Sequence, residues 1–427
     1  METIHPGITR ASGSPIEVCQ HWLAAPETPG EALLLVDFEL SCYWLADNSP
    51  VSLTAVYCRQ ATVLRVAVTD RQLHCHGEPP LAQFDDWVSS AGLFVAQQGQ
   101  PLPLEPVAVA KPWGRELWYT GVEQRGVSAV GRDGVESPLP WLMAVLPQGQ
   151  GAVPLILLKI LQPYNEPVRG DLYFELHREK REVYVVTHVD EQAWPDGVGY
   201  LRYGFSADKL ARYPDDKAFR TDYLSAVQAY EAVRRSIDAM PREELATSEV
   251  LHREARLRNA MDDFTYLRPV VAGEVIAVPL LLPHALQHGV RAVEFQTPVY
   301  EREILSFAQR VLTQEHWDTA AALDSMQLLA PPDPAPLLLH QGPGLRLERV
   351  AEFEDFQVRR LTLARGASYS YEVVTDYCLL LVIAGQIELG DTLYGAEQAA
   401  LLPAGWGGQL AALQPAPELV LLLATPG

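Results

Sequence analysis

Gly170 to Asp190 reads GDLYFELHREKREVYVVTHVD, and within it Glu175, His177 and Glu182 stand in E-x-H-x4-E spacing. Residues two apart on a strand point to the same face, so Glu175 and His177 project together. A turn over Arg178 to Arg181 then returns the chain and brings Glu182 up beside them. One hairpin therefore offers three potential metal ligands. A second segment, Gly273 to His288, carries Gly273, Pro279 and His284 in G-x5-P-x4-H spacing, with a turn at Pro279 to Pro283 delivering His284 as a fourth. The two segments read as one metal site. Two imidazoles and two carboxylates suit zinc, and the same set accepts manganese, iron or nickel.

The rest of the chain bounds what this site can serve. At 427 residues the sequence is long enough for two to four domains with real cores. The formal net charge is -21 and no run of Lys or Arg exceeds two residues, which argues against a nucleic-acid surface. Five cysteines, at 19, 42, 58, 75 and 378, contain no C-x-x-C pair, so a disulfide framework and a thiolate zinc site are both disfavoured. Reduced thiols in a cytoplasm are the expectation. The longest apolar stretch, around Val153 to Leu161, is broken by Lys159 and is too short to span a bilayer, so no membrane role is indicated.

Taken in order, residues 1–105 have β-branched runs between polar turns and read as a small β-rich domain of unassigned role. Its His74-Cys75-His76 triplet lacks any further ligand and is read as structural. Pro101 to Pro106 reads as a stiff linker, because each proline fixes φ and removes a ladder donor. Residues 106–330 read as the metal-binding domain. Trp113, Trp118 and Tyr119 are assigned to packing. Tyr223, Val227, Tyr230, Val233 and Ile237 recur at helical spacing, Pro241 stands where a second helix would begin, and a helical insert is expected over about 206–262. Phe307 to Leu329 is expected to be mostly helical, and Pro331 to Pro336 to be a linker. Residues 331–427 read as a second small β-barrel.

These segments resemble the two motifs of the cupin superfamily, with Glu175 in place of the first histidine and Leu281 in place of the second motif's glycine. More narrowly, Lys111 to Leu305 resembles the class I mannose-6-phosphate isomerases. Lys111-Pro112-Trp113-Gly114 is similar to that family's K-x-W-G, Pro154 to Leu161 to the strand before its ligands, Lys180-x-Glu182 to its K-x-E, and Gly289 to Arg302 to the strand bearing an acid and an arginine. The resemblance implies a mainly β fold with a helical insert, built as cupin-type barrels, and one divalent metal, zinc first, held by Glu175, His177, Glu182 and His284. It implies Glu294, Arg302 and Lys180 as catalytic groups and Lys159 as a substrate contact. The implied activity interconverts mannose 6-phosphate and fructose 6-phosphate, with a small sugar phosphate as the partner molecule.

The C-terminal barrel also resembles a cupin. Pro403-Ala404-Gly405 matches the P-x-G turn, but Gly408 falls where the ligand histidine would be, so this barrel is expected to be metal-free, with a packing or dimerising role that makes a homodimer an arrangement to test. The sequence departs from the isomerases at Glu175, where they have Gln, at Arg178, where they have Pro, and in the short loop before Glu182. Two other readings therefore stay open: a non-catalytic sugar-binding or regulatory cupin, and a different metal-dependent cupin enzyme such as an iron dioxygenase.

Overall fold

The computed structural model describes residues 1–26, 29–75, 78–147, 155–240, 247–312, 314–413 and 418–427. By contacts they form two compact units, one made of Ala108–Leu117 and Leu158–Ala335, the other of Met1–Val107, Trp118–Leu157 and Pro336–Gly427. The segments read from sequence as separate N- and C-terminal domains thus fall within one unit.

The first of these units holds two sheets. One runs in the order Val275–Val278, Glu182–Val189, Val290–Gln296, Leu157–Pro163, Gly114–Trp118, Val107–Lys111. The other runs Thr265–Val270, Gly199–Phe205, His284–Leu286, Phe174–Leu176, Glu303–Ser306. Both contribute to a single apolar core, Tyr184, Val186, Ile276 and Ala292 from the first sheet with Phe174, Leu176, Leu201 and Ile304 from the second. The fold is mainly β with a helical insert, as the sequence indicates. Neither strand order returns on itself, so among the described residues these are open sheets and not a closed barrel.

The insert comprises Ala207–Leu210, Asp216–Asp238 and Ser248–Asp262. Asp215 caps the longest helix by accepting the Ala218 N–H at 2.8 Å. That helix buries Phe219, Tyr223, Val227, Tyr230 and Val233 on one face, the stripe its spacing predicts. Thr247 caps the next helix in the same way, through the Val250 N–H. Pro241 lies outside the described residues, as does His76 of the His74-Cys75-His76 triplet.

Two local expectations are corrected. Phe307 to Leu329 is not mostly helical; among its described residues only Thr319–Ala322 is a helix. The reason is tertiary, because Asp318 ties the segment to the sheet, its N–H donating to Ile304 O at 2.7 Å and its Oδ2 accepting the Ile304 N–H at 2.8 Å. The second correction concerns Pro101 to Pro106, where Leu102–Glu105 is a strand and not a linker. It pairs with Ala399–Pro403 on one side and Ala129–Arg132 on the other, and burial of Leu102 and Leu104 outweighs the donor missing at Pro103.

The second unit contains a six-stranded sheet from residues 2–97, with helices Pro15–Ala24 and Pro80–Ala91. Its nine-stranded sheet is built largely from residues after 336 and includes Leu102–Glu105, Ala129–Arg132 and Val135–Pro138. No helix among the described residues is long and apolar enough to cross a membrane. All five cysteines are free.

Candidate metal centre

The two sheets of the first unit bring their polar ends together. Glu175, the middle residue of Phe174–Leu176, pairs directly with His284, the first residue of His284–Leu286. In the other sheet Glu182 stands opposite Gln296 and Tyr184 opposite Glu294. Alternation along the two strands puts all four on one face. Lys159, from Leu157–Pro163, joins them: its Nζ donates to Gln296 Oε1 at 2.6 Å and lies 4.0 Å from Glu294 Oε1.

Three ligand atoms converge at the centre. His177 Nε2 is 3.4 Å, and His284 Nε2 3.1 Å, from the same oxygen, Glu182 Oε2. The three residues are 2% exposed or less. Donors arranged tetrahedrally about 2.0–2.1 Å from a zinc ion are about 3.3 Å from one another, close to the spacings seen here. The imidazole orientations support the same conclusion. His177 Nδ1 lies 2.9 Å from Glu301 O, and His284 Nδ1 3.0 Å from Leu282 O. A carbonyl oxygen only accepts, so each Nδ1 carries a hydrogen and each ring turns its Nε2 toward the Glu182 carboxylate. A positive centre between each Nε2 and the carboxylate, a proton or a metal ion, satisfies this arrangement; His284 Nε2 is at hydrogen-bond distance from Glu182, whereas His177 Nε2 is buried with no hydrogen-bond partner. The donor set fits a divalent cation.

Glu175 stands to one side. Its Oε1 is 3.8 Å from His177 Nε2, while its Oε2 is 3.7 Å from Arg302 Nη1 and accepts no hydrogen bond. The tight cluster contains His177, Glu182 and His284, so three of the four expected ligands converge and the fourth is adjacent. The Glu175 and Arg302 side chains, 17% and 19% exposed, mark the open side of the site.

Electrostatics divide the three carboxylates. Burial alone would raise Glu182, but His177 and then Lys180 outweigh it and hold it well below the usual carboxylate range. Lys180 Nζ contacts Glu182 Oε1 at 2.5 Å, leaving Oε2 to face the histidines. Glu175 is likewise lowered, because Arg302, His177 and Lys180 overcome its burial. Glu294 goes the other way: burial pushes it well above the usual range, Glu182 adds to the rise, and Lys159 only partly offsets it. The site thus has two carboxylates shifted toward the ionised form and one shifted toward the protonated form. For His177, burial is the leading cause of a lowered pKa, ahead of the opposing pull of Glu182. A metal must displace any proton on that ring, so on His177's account affinity is expected to be flat above about pH 6.5, the ordinary histidine value, and to fall only below it. Metal titrations across pH 5 to 8 check this; an affinity already falling at pH 7.5 contradicts it.

Sequence reading missed three neighbours. Tyr184 donates to Glu182 Oε2 at 3.1 Å, and alternation from Glu182 was the available signal. Gln296 takes the Lys159 ammonium, two residues along from Glu294. Glu301, which holds His177, left no signal because its contact is across the fold.

No family model matches this sequence, and no curated protein matches it. Solved structures do. The mannose 6-phosphate isomerase of Bacillus subtilis superposes with a TM-score of 0.55 at 14% identity, covering 76% of this chain and 99% of its own. A phosphomannose isomerase mutant from Salmonella typhimurium gives 0.54 at 12% identity, with the same coverage. A zinc-bound mannose 6-phosphate isomerase gives 0.53 at 11%, again with the same coverage. The chain therefore has a fold like that of the mannose 6-phosphate isomerases.

Proposed function

We propose that this protein is a metal-dependent aldose-ketose isomerase of sugar phosphates, with the mannose 6-phosphate to fructose 6-phosphate reaction the first to test. The observation that carries the reading is the convergence of His177, Glu182 and His284 beside a buried carboxyl group, Glu294, whose burial favours its protonated form. The fold's zinc-containing relatives favour zinc as the metal. When bound, the cation supplies Lewis-acid polarisation of the sugar carbonyl.

The chain's own residues supply the rest. Glu294 holds a proton next to Lys159 and is the proton-carrying group. Lys180 and Tyr184 orient Glu182. Arg302, on the open side, stabilises negative charge developing on the sugar oxygens, and Lys159 anchors the anionic substrate. Lys159, Lys180 and Arg302 bring three cationic side chains to the site. A phosphorylated sugar is complementary to such cations.

A coupled assay on zinc-loaded protein, with a panel of hexose and pentose phosphates, tests the proposal. Absence of turnover at full metal occupancy would leave a binding or regulatory role, and iron as the resident metal would favour oxygen chemistry. Glu175→Gln probes the site's charge. Removing an anion beside the cation leaves more positive charge to polarise the substrate, so turnover is expected to persist or rise while metal affinity weakens. Turnover and occupancy should be measured together, with Arg302→Ala as the inactive control; turnover lost at full occupancy would mean that Glu175 does chemistry of its own.

A further inference from the structure

We infer that Glu301 is a positioning residue that latches the connection between His177 and Glu182 and sets the direction of the His177 ring. The connection Arg178 to Arg181, which passes from one sheet to the other, joins two of the converging ligands, His177 and Glu182, so its conformation determines their separation. The segment 297–303 holds it at both ends. Glu301 accepts the Arg178 N–H on both carboxylate oxygens, at 3.1 and 3.0 Å, and the Glu179 N–H on Oε2 at 3.3 Å. Its main-chain oxygen takes the His177 Nδ1 hydrogen at 2.9 Å.

At the far end of the turn the Arg181 N–H donates to Thr297 Oγ1, and the Thr297 N–H donates to Arg181 O, each at 3.0 Å. The Arg178 guanidinium reaches Glu303 with Nε and Nη2, at 2.9 and 3.0 Å. One residue, Glu301, therefore serves His177 twice, fixing the ring through its carbonyl and the adjoining backbone through its carboxylate. Hydrogen bonds from backbone N–H groups to a charged acceptor are among the stronger kind. Partners that orient a metal-binding imidazole commonly change metal affinity by 10- to 100-fold when lost.

This inference rests on the metal-dependent reading above, and its test keeps the two apart. Cobalt(II) is titrated into metal-free wild type, His177→Ala, Glu301→Ala and Glu301→Gln, following affinity and the visible ligand-field absorption. Glu301→Ala keeps the main-chain oxygen but releases the Arg178 and Glu179 N–H groups, so binding weakened by up to about 10-fold, with an altered absorption envelope, is expected. Glu301→Gln keeps one acceptor oxygen and should fall between Ala and wild type; it also carries the test if the alanine variant does not fold. A residue serving only general stability would lower the melting temperature and leave affinity and spectrum untouched. Wild-type affinity and spectrum in both Glu301 variants, with His177→Ala defective, overturn the latch alone. Equal binding by wild type and His177→Ala overturns the metal assignment and the latch with it.

Discussion

Replacing His284 with alanine is expected to reduce the bound divalent metal from about one per chain to under about a tenth, measured by elemental analysis after dialysis against the metal. The physical reason is geometric. His284 Nε2 is one of three donor atoms converging on one point, and it comes from a different sheet from Glu182, so no neighbouring side chain of its strand can substitute. His177→Ala should behave alike. His288→Ala is the control, since that ring stacks on Trp194 at 4.6 Å and meets Asp171 at 2.7 Å, away from Glu182. Unchanged stoichiometry in both His177→Ala and His284→Ala would remove the metal centre from these residues.

Glu294→Gln is expected to lower kcat by about 10²- to 10⁴-fold, the usual contribution of a positioned proton carrier, with little change in KM or metal content. The substitution keeps the shape and the Lys159 neighbour but removes the exchangeable proton. Because the carboxyl is held well above its usual range, the protonated form persists toward neutral pH, and a reaction that uses it loses rate as pH rises through that raised value. In the glutamine variant that limb of the pH profile should vanish. A Gln variant as active as wild type would assign the proton transfer to another group, and Glu175, which stays ionised, would be examined next.

Much of the centre was legible because strand periodicity is local. The E-x-H-x4-E spacing brought His177 and Glu182 together with Glu175 beside them, but not on a hairpin as expected: Phe174–Leu176 and Glu182–Val189 lie in different sheets, and His177 follows the end of the first strand. The helical insert was legible for the same reason, through the spacing of Tyr223, Val227 and Tyr230. Errors arose where a long-range contact overrode local pattern. Phe307 to Leu329 has helical periodicity, but Asp318 bonds it to Ile304 at the sheet edge. Pro101 to Pro106 looks like a spacer, yet Leu102 and Leu104 gain more by burial than the prolines lose in hydrogen bonding.

From the sequence alone came the residue types, the two ligand segments, the mainly β class and the insert, all properties of spacing along a few residues. Only the tertiary structure decided which groups share a charge environment. Glu175, Glu182 and Glu294 are identical in type, yet Arg302 favours ionisation of Glu175, His177 and Lys180 favour ionisation of Glu182, and burial favours the protonated form of Glu294. These differences depend on burial and on charges brought in from strands distant in the chain, and Coulomb interactions in a desolvated site act through space, not along the sequence.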